Sequence, residues 1–410
     1  MRKMSDMMAD FASFGGRQGA FFRDGAFLRD GAYSRETESS DRLAVLADFG
    51  SNPGALTARF YLPPDLPPGA PLVVVLHGCT QNAAGYDHRA GWSTLADEAG
   101  FALLYPEQSR LNNPNLCFNW FRPGDARRDA GEALSIRQMI DALGQVHAID
   151  SARVFITGLS AGGAMTSVML AAYPEVFAGG AIIAGLAYGC ASTVPEAFDC
   201  MRGQGAASDE ELWALLREAS DHGGPWPRIA IWQGSADHTV APSNAEDIAA
   251  QWRHVHHLGE TPTREEMLGV RARRTWCNGA GEAVIELNTV ASMGHGTPLG
   301  DGLGVPGPYM LDVGISSTRE IARFWGLADA PQTRAALPAR PVAPLAPAAR
   351  RRPRAVTGQD AAPAASPAAV PATSRAKTYG TGPALQPPGA DAFSVKKTIE
   401  DALRAAGLMR

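Results

Sequence analysis

The run Gly158-Leu159-Ser160-Ala161-Gly162, backed by Gly163, constrains this chain more than any other feature. It directly follows the apolar stretch Val154-Phe155-Ile156-Thr157 and directly precedes a helical pattern over 161–172. A strand that turns into a helix this sharply leaves no room for Cβ atoms beside the turn, so glycines flank the central residue. That residue is pushed out at the strand's end, and the helix behind it aims its N-terminal dipole at negative charge developing there. A serine so placed is a candidate nucleophile. The letters alone are a weak signal, because the chain carries 44 glycines and a plain Gly-rich turn with a capping serine reads the same. The strand before and the helix after give the pattern its weight.

The rest of the chain supplies the sheet that such a turn needs. Short apolar runs at 72–76, 101–105, 154–157, 178–184, 229–233 and 284–290 alternate with amphipathic stretches at 92–99, 130–147, 161–172, 245–257 and 317–325. That alternation predicts an α/β fold, a mostly parallel central sheet with helices on both faces. Runs at 43–49 and 55–62 around Gly50-Ser51-Asn52-Pro53-Gly54 read as an opening hairpin. Between Val154 and Pro195 the only charged residue is Glu175. Gly, Ser, Thr and Pro break that stretch up, so it reads as a buried sheet centre rather than a membrane span. Residues 191–226 interrupt the alternation as a small helical insertion, and the whole unit is expected to occupy 41–327.

The flanks have another character. In residues 1–40, Phe11, Phe14, Phe21, Phe22 and Phe27 sit among Gly and Arg, and Arg23-Asp-Gly-Ala-Phe27 recurs as Arg29-Asp-Gly-Ala-Tyr33. Two readings stand: a disordered arm with a short duplication, or a sticky arm for an apolar surface. Residues 328–390 are dominated by Ala and Pro, with Arg350-Arg351-Arg352 among them, and are expected to be an extended linker. Over 391–410 a helical period returns, with Val395, Ile399, Ala402, Leu403 and Ala406 on one face. That stretch is either an idle amphipathic tail or a docking helix for a partner or a hydrophobic granule. The charged start Met1-Arg2-Lys3 runs into Ser5, Asp6 and Asp10 without an apolar core, so no secretory signal is expected and a cytoplasmic location is favoured.

Charge and cysteines exclude several classes. With 37 Lys and Arg against 42 Asp and Glu, the net charge of −5 argues against nucleic acid as a partner. Five cysteines with no C-x-x-C pair fit neither a disulfide-dense miniprotein nor a structural zinc site. His254, His256 and His257 have a conceivable metal spacing, but no further ligand cluster supports it, and a solvated helix end is the expected reading. No metal or cofactor is expected.

A serine nucleophile needs a base, and the base an orienting acid, in the chain order Ser, acid, His for this strand-turn-helix arrangement. The apolar run 229–233 enters Gly234-Ser235-Ala236-Asp237-His238, a loop at a strand's carboxyl end, which makes Asp237 the candidate acid. The run 284–290 enters Ser292-Met293-Gly294-His295-Gly296, which makes His295 the candidate base. His238 is a candidate lining residue. An oxyanion hole needs two converging backbone N–H groups. Ala161, after the nucleophile, supplies one. The other is expected from Cys79 in Leu76-His77-Gly78-Cys79-Thr80, with His77 as a candidate substrate contact.

Leu76-His-Gly-Cys-Thr-Gln81, Tyr105-Pro-Glu107, Cys117-Phe-Asn-Trp-Phe121, Gly158-Leu-Ser-Ala-Gly-Gly163 and Gly294-His-Gly-Thr-Pro298 occur in that order. Together they resemble the poly(3-hydroxybutyrate) depolymerase family of esterases, over about 43–327. The resemblance implies an α/β-hydrolase fold and a serine esterase using Ser160, Asp237 and His295. Family members are similar to feruloyl and acetylxylan esterases, and some are extracellular. The resemblance also suggests a Cys79–Cys117 bridge beside the oxyanion turn and a second bridge between Cys190 and Cys200, with Cys277 left over. Trp120 and Phe121 are either an apolar platform for an acyl chain or core aromatics. The leading expectation is hydrolysis of short-chain hydroxyalkanoate polyesters or oligomers. A feruloyl or acetylxylan esterase with the same three residues is the alternative, and a non-catalytic granule adaptor is the reading from another class.

Overall fold

Residues 41–205 and 207–328 are described by the computed structural model. The expected N-terminal arm, the linker from residue 329 onward and the C-terminal helix lie outside the described residues. Among these residues one sheet has ten strands: β1 (Ala44–Val45), β2 (Thr57–Tyr61), β3 (Ala70–Leu76), β4 (Ala102–Glu107), β5 (Ile149–Leu159), β6 (Gly179–Ile183), β7 (Arg228–Gly234), β8 (Arg264–Leu268), β9 (Arg271–Cys277) and β10 (Ala283–Val290). Their order is β1-β2-β4-β3-β5-β6-β7-β10-β9-β8. The six strands from β4 to β10 run parallel, and antiparallel pairs close both edges. All six parallel strands therefore point their carboxyl ends to one edge, where ligand chemistry sits in open α/β sheets.

The helices are α1 (Ala83–Ala90), α2 (Trp92–Ala99), α3 (Gly131–Val146), α4 (Ala161–Ala172), α5 (Val194–Met201), α6 (Asp209–Glu218), α7 (Ser243–Val255) and α8 (Ser317–Trp325). Period-two alternation divides the strand side chains between two cores. Leu72, Val74 and Leu76 of β3 join Ile136, Met165, Leu216 and Trp252 on one face. Val73 and Val75 join Tyr86, Trp92, Leu95 and Trp325 on the other. Trp325 stacks on Phe155 at 5.0 Å and on Trp92 at 6.1 Å, so α8 seals the second face. Truncating such a fully buried Trp to Ala typically costs about 3–5 kcal/mol. These layers make the fold that of an α/β-hydrolase, with α5 and α6 lying between β6 and β7. None of the described helices is long and apolar enough to cross a membrane.

Three elements depart from the sequence expectations. Helix α1 was not anticipated; it is short and polar, and starts because Asn82 accepts a hydrogen bond from the Gly85 N–H at 2.8 Å. The β8–β9 hairpin was missed because β8, Arg-Glu-Glu-Met-Leu, is exposed throughout and carries no apolar period. The expected opening strand 43–49 shortens to Ala44–Val45 at the sheet edge. His256 is not a solvated helix end either: its Nε2 lies 3.1 Å from the Pro227 carbonyl oxygen, and burial lowers its pKa to about 4.

Candidate active site

Ser160 stands between β5 and α4 with φ 57° and ψ −118°, a conformation that costs a non-glycine residue on the order of 1–3 kcal/mol. The surroundings hold it there. Its N–H donates to the Ile183 carbonyl at 2.9 Å, and its carbonyl accepts from Ala164 N–H at 2.8 Å. A Cβ on Gly158 would lie 2.3 Å from the Gly162 carbonyl oxygen, and one on Gly162 would lie 2.5 Å from the carbonyl oxygens of both Leu76 and His77. The glycines thus let α4 cross β3 and β5 at backbone contact. They also press the Ser160 turn against the His77-Gly78 turn. Helix α4 is buried along its whole length, which leaves its dipole unscreened by water.

Asp237 follows β7 and His295 follows β10, its neighbour in the sheet. The structure brings them together: His295 Nδ1–H donates to Asp237 Oδ2 at 2.7 Å. The Asp237 side chain is fully buried, and its other oxygen accepts from the N–H groups of Thr239 and Val240 at 2.8 and 2.9 Å. Gln233 Nε2 adds a donor to Oδ2 at 3.2 Å. Four donors on one carboxylate hold it as an acceptor, so the imidazole proton stays on Nδ1 and Nε2 is free to accept. The two loops are joined by backbone as well. Ser235 N–H donates to Val290 at 3.0 Å, Ala236 N–H to Met293 at 2.9 Å, and Ser292 N–H to Ser235 Oγ at 2.8 Å. Gly234 lets them meet, since a Cβ there would lie 2.3 Å from the Met293 carbonyl oxygen. β5 and β7 are separated by β6 alone, so their carboxyl ends stand about 10 Å apart along one edge.

The candidate oxyanion turn after β3 is built from inside. His77 is buried, and Gln108 N–H donates to its Nε2 at 3.1 Å. The ring proton therefore sits on Nδ1, which donates to the Gly78 carbonyl at 2.8 Å. Burial keeps the imidazole below its usual pKa, in the neutral form that this pair of bonds requires. Both ring nitrogens are spent on the backbone, so the expected substrate contact at His77 gives way to a structural place. Phe118 packs on the ring at 5.0 Å. Gly78 and Thr80 N–H groups are taken, by Gln81 Oε1 and the Asn115 carbonyl. Among the described residues the Cys79 N–H has no protein acceptor.

Cys79 is bonded to Cys117, as the resemblance suggested. Cys190 and Cys200 are not bridged: both are free thiols, and the Cys200 thiol donates to the Cys190 carbonyl at 2.6 Å instead. Trp120 is a core aromatic, while Phe121 meets it edge-on at 5.4 Å and remains half-buried. His238 is exposed beside Asp237.

Sequence reasoning missed Gln233, Ser235 and Tyr309, whose ring lies 6.0 Å from that of His295. It also missed Glu132, a fully buried carboxylate at the start of α3. Glu132 accepts from Gln108 Nε2 at 2.7 Å, Asn112 Nδ2 at 3.0 Å, Asn119 Nδ2 at 2.7 Å and Asn119 N–H at 2.8 Å. Burial pushes its pKa up to about 7 against the pull of the Asn119 and Gln108 donors.

The family described as "Esterase PHB depolymerase" matches residues 56–266. The chain is 44% identical over 292 residues to poly(3-hydroxyalkanoate) depolymerase C of Paucimonas lemoignei, covering 70% of each chain. It is 31% identical over 264 residues to an acetylxylan esterase of Coprinopsis cinerea, covering 63% of this chain and 70% of that one. The solved structure of an acetyl xylan esterase from Aspergillus awamori aligns with a TM-score of 0.60 at 27% identity, over 70% of this chain and 99% of that one. The chain belongs to the PHB depolymerase family of esterases and is a carboxylic ester hydrolase.

Proposed function

We propose that this protein hydrolyses short-chain hydroxyalkanoate polyesters or their oligomers through Ser160, His295 and Asp237. The observation that carries the reading is the 2.7 Å bond from His295 Nδ1 to a buried Asp237, at the same sheet edge as the Ser160 turn. Ser160 Oγ attacks the ester carbonyl as His295 Nε2 takes its proton. Asp237 keeps the imidazole in the required tautomer and stabilises its cation. The carbonyl π electrons move onto oxygen, where the N–H groups of Cys79 and Ala161 stabilise the charge. Collapse expels the alcohol end of the polymer with the proton from His295, leaving an acyl-Ser160. Water, deprotonated by His295, then attacks the acyl carbon; the intermediate collapses, the acid leaves and the Ser160 oxygen takes the proton back from His295. The 44% identity to a poly(3-hydroxyalkanoate) depolymerase supports the substrate.

The identity to an acetylxylan esterase supports a second reading, in which the same three residues cleave acetyl or feruloyl esters of plant cell walls. Ser160→Ala assayed on 4-nitrophenyl butyrate tests the chemistry: a kcat loss on the order of 10⁶-fold is expected, and undiminished turnover ends the proposal. Turnover of amorphous hydroxybutyrate polymer against a feruloyl ester separates the two substrates.

A further inference from the structure

We propose that Glu132 is a positioning residue for the oxyanion donor, acting on the Cys79 N–H through Gln108 and His77. The inference rests on the reading of Cys79 as a donor and deepens it. A trans peptide is planar, and its C=O and N–H point in opposite directions. His77 Nδ1–H holds the Gly78 carbonyl at 2.8 Å, so it fixes the plane of the Gly78–Cys79 peptide and thereby the direction of the Cys79 N–H. His77 is in turn held by Gln108, whose N–H meets its Nε2 at 3.1 Å. The Gln108 side chain is held by Glu132 Oε1 at 2.7 Å.

Glu132 reaches the same turn by another path. It takes two bonds from Asn119, and Asn113, which donates to Asn119 Oδ1 at 3.0 Å, accepts from Cys117 N–H at 3.3 Å. Cys117 is bonded to Cys79 itself. Asn115, in the same loop, accepts from Thr80 N–H at 2.8 Å. The 108–119 segment thus folds around one carboxylate and grips the oxyanion turn at His77, Cys79 and Thr80.

The four donors suit the carboxylate form, which Glu132 holds above pH about 7. Four N–H groups converge on its two oxygens, and a group without donors meets all of them. In Glu132→Gln the amide NH₂ must face at least one of those N–H groups in either orientation. The substitution is close to isosteric, yet it pushes the brace apart.

Glu132→Gln is to be measured for kcat, KM and inhibition by phenylboronic acid, whose tetrahedral adduct uses the oxyanion donors. Loss of a whole donor costs roughly 10²–10³-fold in kcat, which bounds the effect of misdirecting one. The expected result is a kcat drop of about 10- to 100-fold, an unchanged KM, and boronate inhibition weakened by the same factor. A merely structural role lowers thermal stability and leaves both values intact per folded molecule, and that result overturns the proposal. If Glu132→Gln does not fold, His77→Leu removes the donor to the Gly78 carbonyl and leaves the carboxylate cluster standing. Wild-type kcat in that variant also overturns it. Ser160→Ala is the companion control: retained turnover there sinks the esterase mechanism, whereas a dead Ser160→Ala beside a normal Glu132→Gln sinks this inference alone.

Discussion

Replacing both Cys79 and Cys117 by Ser separates two contributions of one bond. The bridge closes a segment with a sequence separation of 38. Chain-entropy reasoning assigns a loop of that length about 4 kcal/mol of destabilisation of the unfolded state. Unfolding roughly 290 described residues at about 2.1 cal/mol/K per residue gives an entropy near 600 cal/mol/K. The double variant should therefore melt roughly 6–7 °C lower in scanning calorimetry. This term acts on the unfolded chain and does not by itself touch the active site at 25 °C. The site feels the loss through Cys79, whose N–H is the proposed oxyanion donor. The His77, Asn115 and Glu132 contacts survive the substitution and keep the turn in place. The expected kcat loss on 4-nitrophenyl butyrate is accordingly less than about 10-fold, well under that for losing a donor. A melting temperature within 2 °C of wild type refutes the entropic argument. A kcat loss of about 10³-fold refutes the claim that the buried polar brace holds the turn without the bridge.

Asp237→Asn should lower kcat by about 10⁴-fold with KM nearly unchanged, because the amide favours the wrong imidazole tautomer; steady-state kinetics decide it. In Gly162→Ala the new Cβ meets two backbone carbonyl oxygens at 2.5 Å that cannot retreat without moving β3, so expression should yield unfolded or inactive protein, checked by circular dichroism and activity. Gly234→Ala should push the Met293 carbonyl and the His295 loop outward, cutting kcat while the fold persists; a normal kcat argues against the clamp. His256 supplies a pH test. Its folded pKa, about 4, lies below the usual 6.5, so the folded state binds fewer protons and stability falls as pH drops from about 6.5 towards 4. Glu132, raised to about 7, contributes with the opposite sign: it favours the folded state below its ordinary range and loses that as pH climbs to about 7. The His256 part is therefore read as the difference between wild type and His256→Gln, whose melting temperature should decline less on acidification.

The Ser160 turn and the Asp237 and His295 loops were legible because each is a short apolar run ending in glycines, a pattern that needs no partner to be recognised. The parallel layers were legible for the same reason. What escaped was set by tertiary contact. Glu132 opens a helix as an ordinary first-turn acid, and only the fold surrounds it with Gln108, Asn112 and Asn119. His77 looked like a substrate contact because nothing in its neighbours shows that Gln108, thirty-one residues on, supplies the N–H that fixes its tautomer. Cys190 and Cys200 have a plausible bridging separation, yet a thiol's direction follows from backbone geometry that spacing does not encode. The β8–β9 hairpin pairs through main-chain bonds on an exposed edge, where side-chain periodicity is silent.

The clasp between the Ser235–Asp237 and Val290–Met293 segments ties the Asp237 and His295 loops together by three hydrogen bonds besides the imidazole–carboxylate contact, so a shift in one loop is carried to the other. The point where one small change reaches both loops is accordingly Gly234, where an added methyl group would press on the carbonyl oxygens of Met293 and Gly294.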